Sequence, residues 1–109
     1  MPDSTSETPV LDLLASMTAD SVEASSLDPE TLMLVRIAAL AAVDAPPVSY
    51  LMNLKVASDL DIDPGQVRGV LAAIAPIVGT ARIASATGSI VEALAVAIEI
   101  VALEEDGNE

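Results

Sequence analysis

Cysteine and histidine are both missing from this 109-residue chain. Without a thiolate or an imidazole there is no disulfide exchange, no thiol peroxidation and no histidine general base. Any chemistry must come from hydroxyls, amides, carboxylates or the few cations. Phenylalanine and tryptophan are missing too, leaving Tyr50 as the one aromatic residue. The core must therefore be built from Ala, Val, Ile, Leu and Met, which let helix backbones approach closely but bury less area per residue than aromatics do. Basic residues are scarce: Arg36, Lys55, Arg68 and Arg82 stand against 17 acids, for a net charge of −13. Phosphate contacts need Lys and Arg, so the composition excludes nucleic acid as a partner and disfavours anionic membrane surfaces.

Long hydrophobic runs are lacking as well. The longest uncharged run, Gly69 to Ala81, has 13 residues, short of the roughly 20 that a spanning helix needs. No basic segment opens the chain, and Pro2, Asp3 and Glu7 are wrong for a signal peptide. The expectation is a soluble, cytoplasmic protein with no membrane association, with which the absence of cysteine agrees.

What the chain does have is apolar aliphatic residue in excess. Apolar residues make up 52% of the sequence, and a domain of this length buries roughly 65% of the surface its unfolded chain exposes. That is one core, with apolar surface left over, so other copies of the chain are expected to cover the remainder. The acids number seven in residues 1–30, four in 31–63, none in 64–91 and six in 92–109. Pro64 to Val91 therefore reads as the segment shielded from water.

The apolar spacing is helical throughout, with no alternating β-branched run. Residues 1–8 read as a disordered acidic N-terminus, 9–103 as a single helical domain and 104–109 as an acidic tail. Val10, Leu11, Leu13, Leu14 and Met17 mark a short amphipathic helix behind Thr8 and Pro9, fading into a Ser- and Asp-rich stretch that ends at Ser26. Asp28-Pro29-Glu30 starts a second helix, to about Val43; Pro46-Pro47 breaks it and starts a third, to about Leu60. Asp63-Pro64-Gly65-Gln66 is a capping-box start for a fourth, to about Val78, with Pro76 expected to kink its last turn. After a turn at Gly79-Thr80 come a short helix, Ala81 to Ala86, and a long one, Ser89 to Leu103. The fold class is all-α, a compact bundle of five or six helices.

Leu27 to about Leu94 resembles the superfamily of carboxymuconolactone decarboxylases and alkylhydroperoxidase D-like proteins. The resemblance is carried by LDPETLMLVRIAALAAV and by NLKVASDLDIDPGQVRGVLAAIAPIVGTARIASA. Within the second stretch, Ala57 to Gln66 matches the family's helix-to-helix turn and Ile77 to Ala81 its later bend. The resemblance implies an all-helical subunit in a homotrimer or homohexamer. The family's peroxidases carry Cys-x-x-Cys-x-x-x-His at the start of the third helix; this chain has Pro46, Ser49 and Asn53 there. Peroxidase chemistry is thereby excluded, and the family's histidine-dependent decarboxylation has no titrating group at Asn53.

Ser49, Tyr50 and Asn53 remain as candidate ligand-binding residues, Ser49 and Asn53 sharing one helix face at i and i+4. Weighed against this, Ser49 is an ordinary first-turn residue and Asn53 a satisfied polar group at a subunit contact. Arg36 and Arg82 stand in apolar helices, where a buried cation must be paired. Ion pairs with Glu92, Glu99 or Asp44 are expected there, or else a site for a small carboxylate. Asp59, Asp61 and Asp63 read as a solvated acidic turn, not a metal site, and Met17, Met33 and Met52 as packing residues. No metal and no cofactor is expected. The leading expectation is a homo-oligomeric structural or small-ligand-binding protein; the alternative is an enzyme acting on a small organic acid through Tyr50 or a carboxylate with Arg36 or Arg82.

Overall fold

Five helices, in a computed structural model that describes residues 7–107, follow the start signals in the sequence: α1 (Pro9–Ala24), α2 (Pro29–Ala42), α3 (Pro47–Asp59), α4 (Pro64–Val78) and α5 (Thr80–Gly107). No strand occurs among the described residues. Residues 1–6 and 108–109, where most of the N-terminal segment and the end of the tail were expected, lie outside them.

Local chemistry sets most boundaries. The first four helices each carry proline in the first turn, where its missing N–H is no loss. Asp28 Oδ1 accepts from the Thr31 amide at 2.8 Å. That bond holds the Asp28 carboxyl below its usual range; its contribution is present above the ordinary carboxylate value and fades as pH falls through the lowered one. At α4 the capping box is complete: Gln66 N donates to Asp63 Oδ1 at 3.0 Å and Asp63 N to Gln66 Oε1 at 2.9 Å. Gly65 sits inside it because a Cβ there would meet Asp63 Oδ1 at 2.9 Å. Replacing Asp63 by Ala should destabilise the fold by about 1 kcal/mol, read as a lower urea midpoint with an unchanged slope.

The ends of α2 and α3 are built alike. Asp44 (φ 57°) and Asp61 (φ 62°) take the left-handed conformation. Ala45 N then reaches Leu40 O and Ile62 N reaches Ala57 O, both at 3.0 Å. These are Schellman closures, and the residue after each aspartate, Ala45 or Ile62, is buried as the motif's apolar contact requires. The left-handed turn also delivers the Asp44 carboxylate to α5, where Ser85 Oγ donates to it at 2.6 Å.

The body is α2 to α5, with α3 against α5 and α2 against both α3 and α4. One cluster gathers Ala41, Ala45, Ala86, Ile90 and Ala93 around Tyr50; another joins Met33, Ile37, Ala57 and Ile62. Leu54 and Val67 pack against both, so they form one continuous core. The helix α1 buries none of its residues.

The structure differs from the sequence-based expectations in four respects. The two final helices are one: α5 runs from Thr80 to Gly107, through Gly88 and into the segment read as the acidic tail. A mid-helix glycine costs about 1 kcal/mol, and burial of Ala86, Ile90 and Ala93 on either side of it offsets that. The first helix does not fade after Met17 but runs on to Ala24, whereas Pro76 stands in the last turn of α4 as the sequence indicates, and Gly79, at φ 88°, follows the helix end in a conformation that favours glycine. The acid-free segment is only partly shielded within the chain: Ala86 and Ile90 join the core, but α4 has no buried residue and Ile77 is 87% exposed. Met33 is buried as expected, but Met17 and Met52 are 55% and 74% exposed. Freedom from acids marks a surface suited to burial, and one chain of this size has too little body to bury it.

Candidate functional site

The segment singled out in the sequence is the first half of α3. Pro46 and Pro47 set its entry, and the Ser49 amide donates to Pro46 O at 3.0 Å. Ser49 and Asn53 are half-buried and share a face, as their spacing requires. Asn53 Nδ2 donates to Ser49 O at 2.9 Å, so the amide spends a donor on its own helix.

Tyr50 points the other way. It is fully buried in the alanine-rich cluster, where Ala41, Ala45, Ala86 and Ala93 leave room for one ring. Its hydroxyl is closed to solvent and has no hydrogen-bond partner among the described residues. Burial pushes the phenol pKa above its usual value, and the Asp44 carboxylate pushes it the same way.

The two arginines are not brought to this segment. Arg36, half-buried on α2, donates through Nη2 to Ser21 Oγ at 3.1 Å and to Thr18 O at 3.5 Å. Arg82 is exposed on the first turn of α5. Neither forms the expected ion pair with Glu92, Glu99 or Asp44 among the described residues. The expectation rested on burial inside apolar helices, and both positions are wet enough not to need a counter-charge. In the acidic turn, Asp63 is committed as a cap and Asp59 and Asp61 are exposed. No cluster of three or more Asp or Glu side chains able to hold a metal ion occurs among the described residues.

A cavity of about 420 Å³ lies elsewhere, between the second half of α3, the first half of α4 and the middle of α5. Leu54, Ile62, Val67, Leu71, Ile90 and Leu94 form its walls. Among the described residues Arg68 is the only charged one lining it, and Ser58 and Thr87 add hydroxyls. Tyr50 does not line it. The sequence held one signal for this cavity, a cation in an acid-free apolar helix, but the walls come from three helices and only packing assembles them.

No match was found. Family models, curated proteins and solved structures were all compared with the chain, and none resembles it closely enough to assign a family. The chemistry of the cavity must therefore be read from its own residues. It can take up apolar side chains or an apolar small molecule and place one guanidinium at its edge, but it holds no nucleophile and base within a common geometry.

One further surface is long and apolar. Thr80–Ile100 of α5 has the length and composition of a membrane-crossing helix, and only 17% of its most apolar stretch is buried. The sequence reading cut this segment at Arg82 and at Gly88. A continuous helix with Glu92 and Glu99 seven residues apart, and hence on one face, does not have those breaks.

Proposed function

We propose that the protein acts by self-association, as a homo-oligomeric structural protein of the carboxymuconolactone decarboxylase-like type without thiol chemistry. A trimer or a hexamer in the cytoplasm is the form this reading takes. The observation that carries it is the distribution of large aliphatic residues. Val10, Leu13, Leu14 and Met17 on α1, Ile77 on α4, and Val91, Ile98 and Leu103 on α5 are all more than half exposed. Soluble monomers rarely leave contiguous apolar surface beyond a few hundred Å², and the acids that keep the chain in solution crowd towards its two ends.

A membrane is the competing cover for α5. Self-association is favoured over it by Glu92 and Glu99, each of which is costly to place in hydrocarbon, and by a net charge repelled from anionic lipid.

A second reading, binding of a small organic molecule, is favoured by the α3–α4–α5 cavity, whose apolar walls and single arginine suit an apolar carboxylate. Its site would be that cavity and not Ser49, Tyr50 and Asn53. The enzymatic reading draws no support from the geometry, since the Tyr50 hydroxyl is sealed and Arg36 and Arg82 stand apart from it.

Native mass spectrometry of the purified full chain tests the proposal. Discrete trimers or hexamers are the expected result, and extra mass on each subunit would bring the ligand reading forward. A monomer at micromolar concentration would overturn self-association.

A further inference from the structure

Two apolar surfaces on this chain are left uncovered among the described residues, one a helix face and the other a groove. The first is convex: α1 is 16 residues long and presents Val10, Leu13, Leu14 and Met17 at i, i+3, i+4 and i+7 along one stripe, each at least half exposed. A helix of this length is marginal in water without tertiary packing, and this one contains Ser16, Thr18, Asp20, Ser21 and Val22, none of them strong helix formers. The second is concave, the cavity between α3, α4 and α5.

The charges match as well. The α1 helix carries Asp12, Asp20 and Glu23 and no cation, while the cavity is lined by Arg68 and by no acid among the described residues. Asp20 follows Leu13 by seven residues and so flanks the stripe on the same side of the helix.

We infer that α1 of one copy seats its Val10–Met17 stripe in the α3–α4–α5 groove of a second copy. The inference rests on the self-association reading and specifies the contact that drives it.

The occupant is a second copy because the chain's own arm points elsewhere. Arg36 on α2 holds Thr18 and Ser21, so the second half of α1 is tied back to α2 across the connection from Ser25 to Asp28 without packing closely on it. Val10–Met17 lies beyond that tie, on the N-terminal side of α1, and none of it is buried. The chain's own groove backs onto α2, where the Glu30 carboxylate accepts from Gln66 Nε2 and Met33 and Ile37 pack on Ala57 and Ile62. An arm kept on its Arg36 clasp reaches a neighbour's groove and not its own.

The absence of native cysteine makes the test direct. Leu14→Cys on the arm and Val91→Cys on the groove wall are both exposed positions, so neither disturbs the core. The two single variants, one carrying a mass tag, are mixed, dissociated, reassembled and mildly oxidised, then run on a non-reducing denaturing gel. A disulfide forms only where Cα atoms come within about 4.4–6.8 Å. The expected product is a mixed-mass heterodimer, well in excess of the homodimer that either variant gives alone.

Native mass spectrometry of the unmodified chain separates the two levels of failure. An oligomer without the heterodimer overturns arm exchange and leaves self-association standing; a monomer overturns both. If a chain carrying both cysteines consumes its thiols yet stays monomeric on the denaturing gel, the arm folds onto its own groove and the inference is wrong. An oligomer with added ligand mass and no cross-link gives the groove to a small molecule instead.

Discussion

Tyr50→Ala should leave the protein close to unfolding, while Tyr50→Phe should be as stable as the parent or more so. Removing a fully buried aromatic ring costs about 3–5 kcal/mol, against a total stability of about 5–15 kcal/mol for a domain. The ring sits among four alanines, and side chains that short cannot move in to fill the space it would leave. The phenylalanine variant keeps the ring and removes a hydroxyl that is buried without a partner, a group whose burial costs about 1–3 kcal/mol. Because the oxygen is closed off inside the chain, a neighbouring subunit cannot reach it to supply the missing bond. Urea unfolding of both variants at one fixed protein concentration checks the pair, since assembly makes stability concentration-dependent. A phenylalanine variant weaker by more than 1 kcal/mol would mean that the hydroxyl has a partner.

The same contrast has a pH signature. The folded pKa of Tyr50 is raised, so the fold favours the neutral phenol. Its contribution is complete below the unfolded value of about 10 and is lost as pH rises from there through the folded value. The parent should lose stability in that alkaline window more steeply than Tyr50→Phe does.

How much of this could be read in the sequence depends on how local the cause is. Asp28-Pro29 and Asp63-Pro64-Gly65-Gln66 start helices through bonds that span three residues, and both starts stand where those residues put them. The end of α2 is nearly as local, since the Asp44 amide closes it against Ala41 and the Ala45 amide against Leu40. The continuity of α5 was not legible: Thr87-Gly88-Ser89 has the composition of a break, and what overrides it is packing on α3 from some 40 residues earlier. The candidate site divides in the same way. That Ser49 and Asn53 share a face follows from helical spacing alone. That Tyr50 turns inward depends on α2 and α5 both placing alanines around it. The partners of Arg36 lie 15 and 18 residues away on another helix, and the α3–α4–α5 cavity exists only once three helices meet.

Leu94→Glu combined with Ile98→Glu should break the assembly without unfolding the subunit. The two residues are one turn apart on the second half of α5, both exposed in the single chain, and beyond Ala93, the last buried residue described on that helix. Covering each by a neighbour contributes about 1.5–3 kcal/mol. Losing both, at 1.4 kcal/mol per tenfold, predicts a rise in the dissociation constant of roughly a hundredfold to ten-thousandfold. Light scattering should then report monomers whose circular dichroism remains helical. The same pair separates self-association from the membrane alternative, which uses the same apolar surface of α5. If lipid is the natural cover, the parent chain floats with zwitterionic vesicles and the double variant does not. If other copies are the cover, neither floats and only the subunit count changes. A double variant that keeps the parent's subunit count would show that this face of α5, with the Leu94 wall of the groove, is uncovered in the assembly, and would count against both the α5 contact and the arm-and-groove contact.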